Sequence, residues 1–367
     1  MLSGPEDWLA ESPCLNYLRQ LGYTWLKPDA NEAARDGLNQ VLLRDELLAA
    51  LQRINGISLQ DARAVYSDLL NLHDNAAWLA VLRGNYSRSV EGESKKKTVR
   101  CIDFCNPANN TFTVTNQLTV QAQHTRRPDM VVYVNGIPLV VIEAKSPVSY
   151  KDKASQAYAQ IRQYEQQIPR LFYSNAFNII TDGQFLLYGA TGARADYWGK
   201  WKDPWPRKRQ DFATDFECGL YSLLEPARLL DIVAHFIVFE TREGSVVKKM
   251  CRYQQFRAVN RIVQRVVEGQ HRKGLVWHTQ GSGKSLTMVM AALKLKTHLT
   301  LHSPQLESPN LLVLTDRIDL DDQIAATFIA CGLPNPQQIK SLGDLRHAVH
   351  TNTVGMTLLS TIFKFEG

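Results

Sequence analysis

Cysteine is sparse in this chain, with six residues among 367, at positions Cys14, Cys101, Cys105, Cys218, Cys251 and Cys331. A chain of this length closes its core without disulfides, so the scattered thiols read as reduced. Only Cys101 and Cys105 are near enough to share a metal, and no second Cys or His pair at zinc-finger spacing follows them. Long apolar runs are also lacking, and none approaches the ~18 residues of a membrane span. Met1 to Asp7 contains neither Lys nor Arg, so the basic start of an export signal is missing. These absences predict a cytoplasmic protein with no membrane partner. A strong charge of one sign is lacking too: Lys and Arg outnumber Asp and Glu by 42 to 36. That excess suits a nucleic-acid partner without selecting one. With 44% hydrophobic residues and unremarkable Gly and Pro content, the chain reads as folded, and its length suggests two domains.

Helical periodicity covers residues 9–21, stopped by Gly22, and then 44–54, 59–70 and 76–83. Residues 84–97 turn polar and end in Lys95-Lys96-Lys97, the pattern of a solvated loop. Strand-like runs follow at 100–104 and 111–120, and then at 130–134 and 137–145, the last two flanking Asn135-Gly136, a strong hairpin signal. Residues 153–167 read as a polar helix, and 177–181 with 185–188 as a hairpin across Asp182-Gly183. Trp198, Trp201 and Trp205 interleave with Lys200, Lys202, Arg207, Lys208 and Arg209. That mixture suits DNA stacking, and equally a surface loop tucking its rings under a domain edge. Residues 220–239 read as an apolar helix, and the charged stretch 240–249 places a domain boundary near 240.

Beyond the boundary helix and strand alternate, as in a parallel α/β sheet. Residues 274–277 read as a short strand, His278-Thr279-Gln280-Gly281-Ser282-Gly283-Lys284-Ser285 as a turn, and 286–299 as a helix. This is a phosphate-binding loop in its usual context. Gly281 and Gly283 let backbone N–H groups, with those of Thr279 and Ser282, curl around phosphate oxygens, Lys284 reaches the terminal phosphates and Ser285 ligates magnesium. The strict pattern has a glycine where His278 stands. Gln255 lies upstream, where helicase-like motors place an adenine-reading glutamine. A second strand at 311–315 leads into a helix that Asp319 would cap, and a third strand-like run covers 356–361.

Pro128-Asp129 and Glu143-Ala144-Lys145 form a second constellation. Metal-assisted phosphodiester hydrolysis needs hard oxygen ligands close together and a cation to orient water. Glu143 and Lys145, two apart on one strand, share a face. Charges in apolar strands call for a metal or an ion pair, whereas charges at a sheet end would be the bland alternative. Register tests the metal reading. A strict two-residue Asn135-Gly136 turn pairs Val134 with Ile137 and turns Asp129 away from Glu143, so the reading demands a three-residue turn or a bulge near Asp129.

The ordered series Arg127-Pro128-Asp129, Val134-Asn135-Gly136-Ile137-Pro138, Ile142-Glu143-Ala144-Lys145, Gln160-Ile161-Arg162-Gln163-Tyr164 and Trp277 to Ser285 resembles the PD-(D/E)XK nuclease motif joined to a superfamily 2 motor. More narrowly, residues 100–367 resemble the restriction and translocation (R) subunit of type I restriction-modification enzymes. The resemblance implies an α/β architecture: a PD-(D/E)XK-like mixed sheet flanked by helices over 1–239, then the amino-terminal part of a RecA-like domain over 240–367. It implies that Asp129 and Glu143 ligate Mg2+, that Lys145 assists the attacking water, and that Gln160 and Tyr164 form the family's Gln-x-x-x-Tyr element. A first-helix carboxylate, Glu6 or Glu11, would complete such a site. The implied substrates are double-stranded DNA and ATP, and the implied partners are a methyltransferase and a specificity subunit. No Asp-Glu-x-His segment occurs in these residues, so a fragment without ATP hydrolysis is expected. The alternatives are a DNA- and nucleotide-binding module without turnover, or a helicase-superfamily ATPase without nuclease activity.

Overall fold

The computed structural model describes residues 5–145, 153–242, 244–297, 303, 306–307, 309–333, 336–351 and 354–365. The chain divides into two compact units, Met1–Ala234 and His235–Gly367. Both are mixed α/β structures.

The first unit is built on six strands: β1 (Thr24–Leu26), β2 (Phe112–Asn116), β3 (Met130–Val134), β4 (Ile137–Ala144), β5 (Phe177–Thr181) and β6 (Leu186–Gly189), hydrogen-bonded in that order. β1 runs parallel to β2 and β4 parallel to β5, while the remaining neighbours are antiparallel. Every residue of β3 and β4 is buried, as the apolar runs on both faces require of central strands. Three helices matter most here: α1 (Pro5–Gln20), which packs on β2 and β4, α2 (Arg44–Asn55), and α3 (Lys153–Gln167). α2 carries Asp45 and Glu46 in its first turn and Arg53 in its last, and it ends at Gly56 in the left-handed conformation. α3 buries Ala157, Ile161 and Tyr164, a helical stripe that joins Val131, Tyr133 and Val141 in one core cluster.

Several sequence expectations for this unit are corrected. Residues 100–104 form no strand, because side-chain amides take over the local hydrogen bonding: Asn110 Oδ1 accepts from the Asp103 N–H (2.9 Å) and Asn135 Nδ2 donates to the Cys101 carbonyl (2.9 Å). The expected helix over 220–239 is two helices, Asp215–Leu224 and Pro226–His235, followed by a strand. Glu225 precedes a proline and sits at φ −58°, ψ 130°, which breaks the helix there. In the tryptophan loop, Trp201 is 4% exposed and donates to the Asp203 carbonyl (2.8 Å), while Trp198 packs against Gly189 so closely that a Cβ there would meet its ring at 2.5 Å. These two rings serve packing, as in the tucked-loop alternative that the sequence offered, while Trp205 is half-buried and the neighbouring Lys and Arg residues are exposed.

In the second unit, β7 (Ile237–Arg242) and β8 (Ser245–Met250) form an antiparallel hairpin, so the charged stretch near 240 is sheet. A three-stranded parallel sheet follows, with β9 (Leu311–Thr315), β10 (Pro336–Gln338) and β11 (Thr357–Thr361) in the order β9-β11-β10. α4 (Tyr253–Glu268) and α5 (Lys284–Thr297) pack on each other. The expected strand at 274–277 has no regular secondary structure and pairs with no described strand, and Leu275 and Trp277 are each 85% exposed. The helix Ile318–Ala330 takes Arg317 as its N-cap, so Asp319 lies in its first turn rather than capping it.

Candidate functional site

The β3–β4 hairpin turns through Asn135 (φ 52°) and Gly136 (φ 76°), a two-residue turn that pairs Val134 with Ile137. Glycine is needed twice over at 136, because a Cβ there would lie 2.5 Å from the Leu43 carbonyl oxygen. Glu46 on α2 braces the turn by accepting from the Gly136 N–H (3.0 Å) and the Thr111 hydroxyl (2.6 Å). Unbroken, this register would turn Asp129 away from Glu143.

A bulge rescues it. The register shifts between Val132 and Tyr133, with Tyr133 opposite Pro138 and Val132 opposite Val140, leaving Leu139 as the extra residue. The cause is in the sequence: Pro138 cannot donate to a ladder, and within a central strand it is tolerated only at such an irregularity. The bulged carbonyls find other donors, Ser174 Oγ at Pro138 (2.8 Å) and the Ala176 N–H at Leu139 (2.6 Å). Past the bulge, Val131 pairs with Val141 and Met130 with Ile142. One step on, Asp129 opposes Glu143. Of the two devices the sequence allowed, the three-residue turn is unused, and the bulge lies mid-hairpin rather than beside Asp129.

Glu143 is fully buried, and its Oε1 accepts from Lys145 Nζ (2.7 Å). Lys145 Nζ also donates to Gln160 Oε1 (2.6 Å), and Gln160 Nε2 donates to the Tyr164 hydroxyl one helical turn along α3. Asp129 Oδ2 accepts from the Ala144 N–H (2.8 Å). The five predicted residues Asp129, Glu143, Lys145, Gln160 and Tyr164 therefore meet in one cluster. Burial, and then the Asp129 charge, push the Glu143 carboxyl well above its ordinary range, against the opposing pull of Lys145. Burial, and then Glu143, likewise raise the Tyr164 hydroxyl.

Glu143 Oε2 is buried and accepts from no N–H or hydroxyl group, and the carboxyl lies within hydrogen-bonding reach of the Asp129 carboxyl. Leaving a carboxylate so placed in a protein interior costs several kcal/mol. A divalent cation between Asp129 and Glu143 would supply the missing contact and offset both charges, so the hard oxygen donors fit Mg2+. The pair stands without a third ligand, since no three His, Cys, Asp or Glu residues gather for a metal among the described residues. Of the two first-helix candidates, the Glu6 side chain lies outside the described residues. Glu11 is 2% exposed and accepts from Asn116 Nδ2 (3.2 Å) and Gln117 Nε2 instead. Sequence reasoning passed over the role of Pro138, although a proline inside an otherwise central strand was a visible sign of the bulge.

The phosphate loop lies in the second unit and is exposed. Gly281 (φ 75°) and Gly283 (φ 83°) take left-handed conformations ahead of α5. Lys284 Nζ folds back onto the His278 (3.2 Å) and Thr279 (3.0 Å) carbonyls, and Ser282 Oγ also donates to Thr279 (2.7 Å). Ser285 follows, half-buried, in the first turn of the helix. Gln255 is 2% exposed: its Oε1 accepts from the Arg252 N–H (2.8 Å) and its Nε2 donates to the Gly283 carbonyl (3.0 Å), tying α4 to the loop.

Comparison with known proteins agrees in both halves. Residues 254–367 match the SWI2/SNF2 ATPase family model. The chain is 32% identical over 97% of its length to the type I restriction enzyme HindI endonuclease subunit of Haemophilus influenzae. It is 28% identical over 98% of its length to the putative type I restriction enzyme MjaIXP endonuclease subunit of Methanocaldococcus jannaschii. The alignments cover 36% and 37% of those relatives, so the chain spans about a third of their length. The model of the type I restriction enzyme R protein N terminus matches residues 5–197, more than half of the chain, and the chain belongs to that family.

Proposed function

We propose that residues 1–239 are a PD-(D/E)XK endonuclease domain and that residues 240–367 belong to a RecA-like motor domain. Together they form part of an R subunit that cuts double-stranded DNA in the cytoplasm after ATP-driven translocation. The observation that carries this reading is the buried Glu143 carboxyl beside the half-buried Asp129, with one oxygen that no N–H or hydroxyl group serves and the other bonded to Lys145. Asp129 and Glu143 would hold Mg2+, which when bound offsets charge on the scissile phosphate and acidifies a water. Lys145, held between Glu143 and Gln160, keeps its ammonium at the reacting face to orient the attacking water. Tyr164 fixes the Gln160 amide, so its oxygen faces Lys145.

In the motor, the backbone of Thr279, Gly281, Ser282 and Gly283 would cradle the phosphates of ATP. Lys284 would exchange its two carbonyl partners for the terminal phosphates, and Ser285 would ligate the nucleotide's Mg2+. Gln255 uses one acceptor site on the Arg252 N–H and one donor on the Gly283 carbonyl, so if its remaining donor and acceptor read adenine, the base is linked to the α4 N-terminus and to the loop. With no Asp-Glu-x-His in residues 1–367, this stretch by itself is expected to bind ATP without steady-state turnover. The partners are the methyltransferase and specificity subunits.

The test measures triplex displacement and linear DNA product side by side in the assembled complex. Glu143→Ala should lose cleavage and keep translocation, whereas Lys284→Ala should lose both. Normal cutting by Glu143→Ala, or loss of translocation in it, would overturn the assignment of separate sites.

A further inference from the structure

Gln117 stands one step beyond the last β2–β3 pair, Asn116 with Met130, and its N–H donates to the Asp129 carbonyl (2.7 Å). Since Asp129 opposes Glu143, the row Gln117, Asp129, Glu143 crosses three strands at the level of the carboxylate pair. Gln117 is one of two residues other than glycine with positive φ among the described residues, at 52°, a conformation that a side chain other than Asn or Asp takes up only when its surroundings hold it.

Those surroundings are visible. The side-chain oxygen of Gln117 accepts from Arg127 Nε (2.7 Å), and its Nε2 donates to Glu11. With a cation on one side and an anion on the other, the amide has a single sensible orientation, and both bonds are charge-assisted. Glu11 is held again by Asn116 Nδ2 (3.2 Å), whose own oxygen accepts from Trp25 Nε1 (3.0 Å). The strand end that carries Asp129 is thus moored through Gln117 to α1 and to Arg127, two positions before Asp129, while Asn116 ties the same α1 carboxylate to β1.

We propose that Gln117 is a positioning residue for the nuclease carboxylates: by bridging Arg127 and Glu11 while holding the Asp129 backbone, it keeps Asp129 opposite Glu143 at the separation a divalent cation requires. The inference rests on the nuclease reading above. Partners that orient metal ligands typically change metal affinity 10- to 100-fold when removed.

Two of the test variants, Gln117→Gly and Gln117→Asn, suit the left-handed backbone, and Gln117→Met is added as a control for side-chain length. Gln117→Gly keeps the conformation and removes the amide, Gln117→Asn keeps an amide one methylene too short, and Gln117→Met keeps the length without the donor or acceptor. Mg2+ binding is measured by calorimetry on the 367-residue chain, and cleavage against Mg2+ concentration in the assembled complex. For Gln117→Gly and Gln117→Met we expect the Mg2+ midpoint to rise about tenfold, with kcat at saturating Mg2+ and KM for DNA within about twofold of the parent. Gln117→Asn should fall between. An unchanged midpoint in folded Gln117→Gly and Gln117→Met would overturn the proposal, as would a loss of kcat that excess Mg2+ does not restore. Glu143→Ala, run in parallel, separates the two ideas: if it still cuts, the nuclease reading fails, and if it is inactive while the Gln117 variants behave as the parent, only the positioning role fails.

Discussion

Glu143 has no exposed surface and sits in a strand buried along its whole length, whereas Lys284 stands in solvent at the first position of α5, just after the phosphate loop. The first charge is imposed by a scaffold that makes it costly, and it is held by the side chain of Lys145, which is tied in turn to Gln160 on α3. The second is satisfied by backbone carbonyls of its own loop and can leave them cheaply. A ligand at the first site relieves a standing electrostatic penalty, while one at the second only exchanges one set of hydrogen bonds for another. The two sites should therefore respond differently to mutation, to pH and to metal.

The strongest way to break this contrast is to insert one alanine between Val140 and Val141. With the single bulge kept, Asp129 would then oppose Ile142, and Glu143 and the β4 residues near it would be driven to the opposite face. Insertion should abolish cleavage and lower the melting temperature of the first unit by more than about 10 °C, equivalent to several kcal/mol. Retained cleavage would show that the carboxylate pair forms by another route.

Next in size is Glu143→Gln. It should cut at least about 100-fold more slowly through loss of a hard ligand, yet raise the metal-free melting temperature by roughly 2–4 °C, equivalent to about 1 kcal/mol. The sign follows from the raised Glu143 carboxyl, which keeps its proton in the folded state at pH values where the unfolded chain has lost it. Stability from this group is fully present below about pH 4.3, the ordinary glutamate value, and is lost as pH rises through the folded-state value. Thermal melts across pH, with and without Mg2+, should show that slope in the parent without metal and a smaller one in Glu143→Gln.

Lys284→Ala sharpens the comparison from the other side. Nucleotide affinity should fall at least about tenfold, while the melting temperature moves by less than about 1 °C, because the lost contacts are exposed and to backbone. A large destabilisation would mean that the loop is more tightly built than its exposure indicates. The smallest effect is expected for Tyr164→Phe, which removes one hydrogen bond to Gln160 and should cost about 1 kcal/mol of stability with a few-fold loss of cleavage.

Much was legible in the sequence because the signals are local. Asn135-Gly136 specified its turn through the left-handed conformations those residues accept, and the 157, 161, 164 stripe specified the buried face of α3. Asp129, Glu143 and Lys145 stood out by spacing and residue chemistry, and Gln160 and Tyr164 by the family resemblance. Other expectations failed where a distant partner decides the outcome. Residues 274–277 have strand composition but pair with no described strand, and 100–104 surrendered their ladder to Asn110 and Asn135.

By itself, the sequence singled out the side chains proposed to carry the chemistry, because charge, hydrogen-bonding capacity and turn preference are properties of residues and their near neighbours. Only the tertiary structure decided that Asp129 faces Glu143. That depends on one extra residue in a strand paired on both sides, on carbonyls at 138 and 139 finding donors at 174 and 176, and on α3 bringing Gln160 to Lys145. Strand register has a period of two, so a single bulged residue reverses which face every later side chain occupies, and no local pattern fixes that choice until the neighbouring strands are in place.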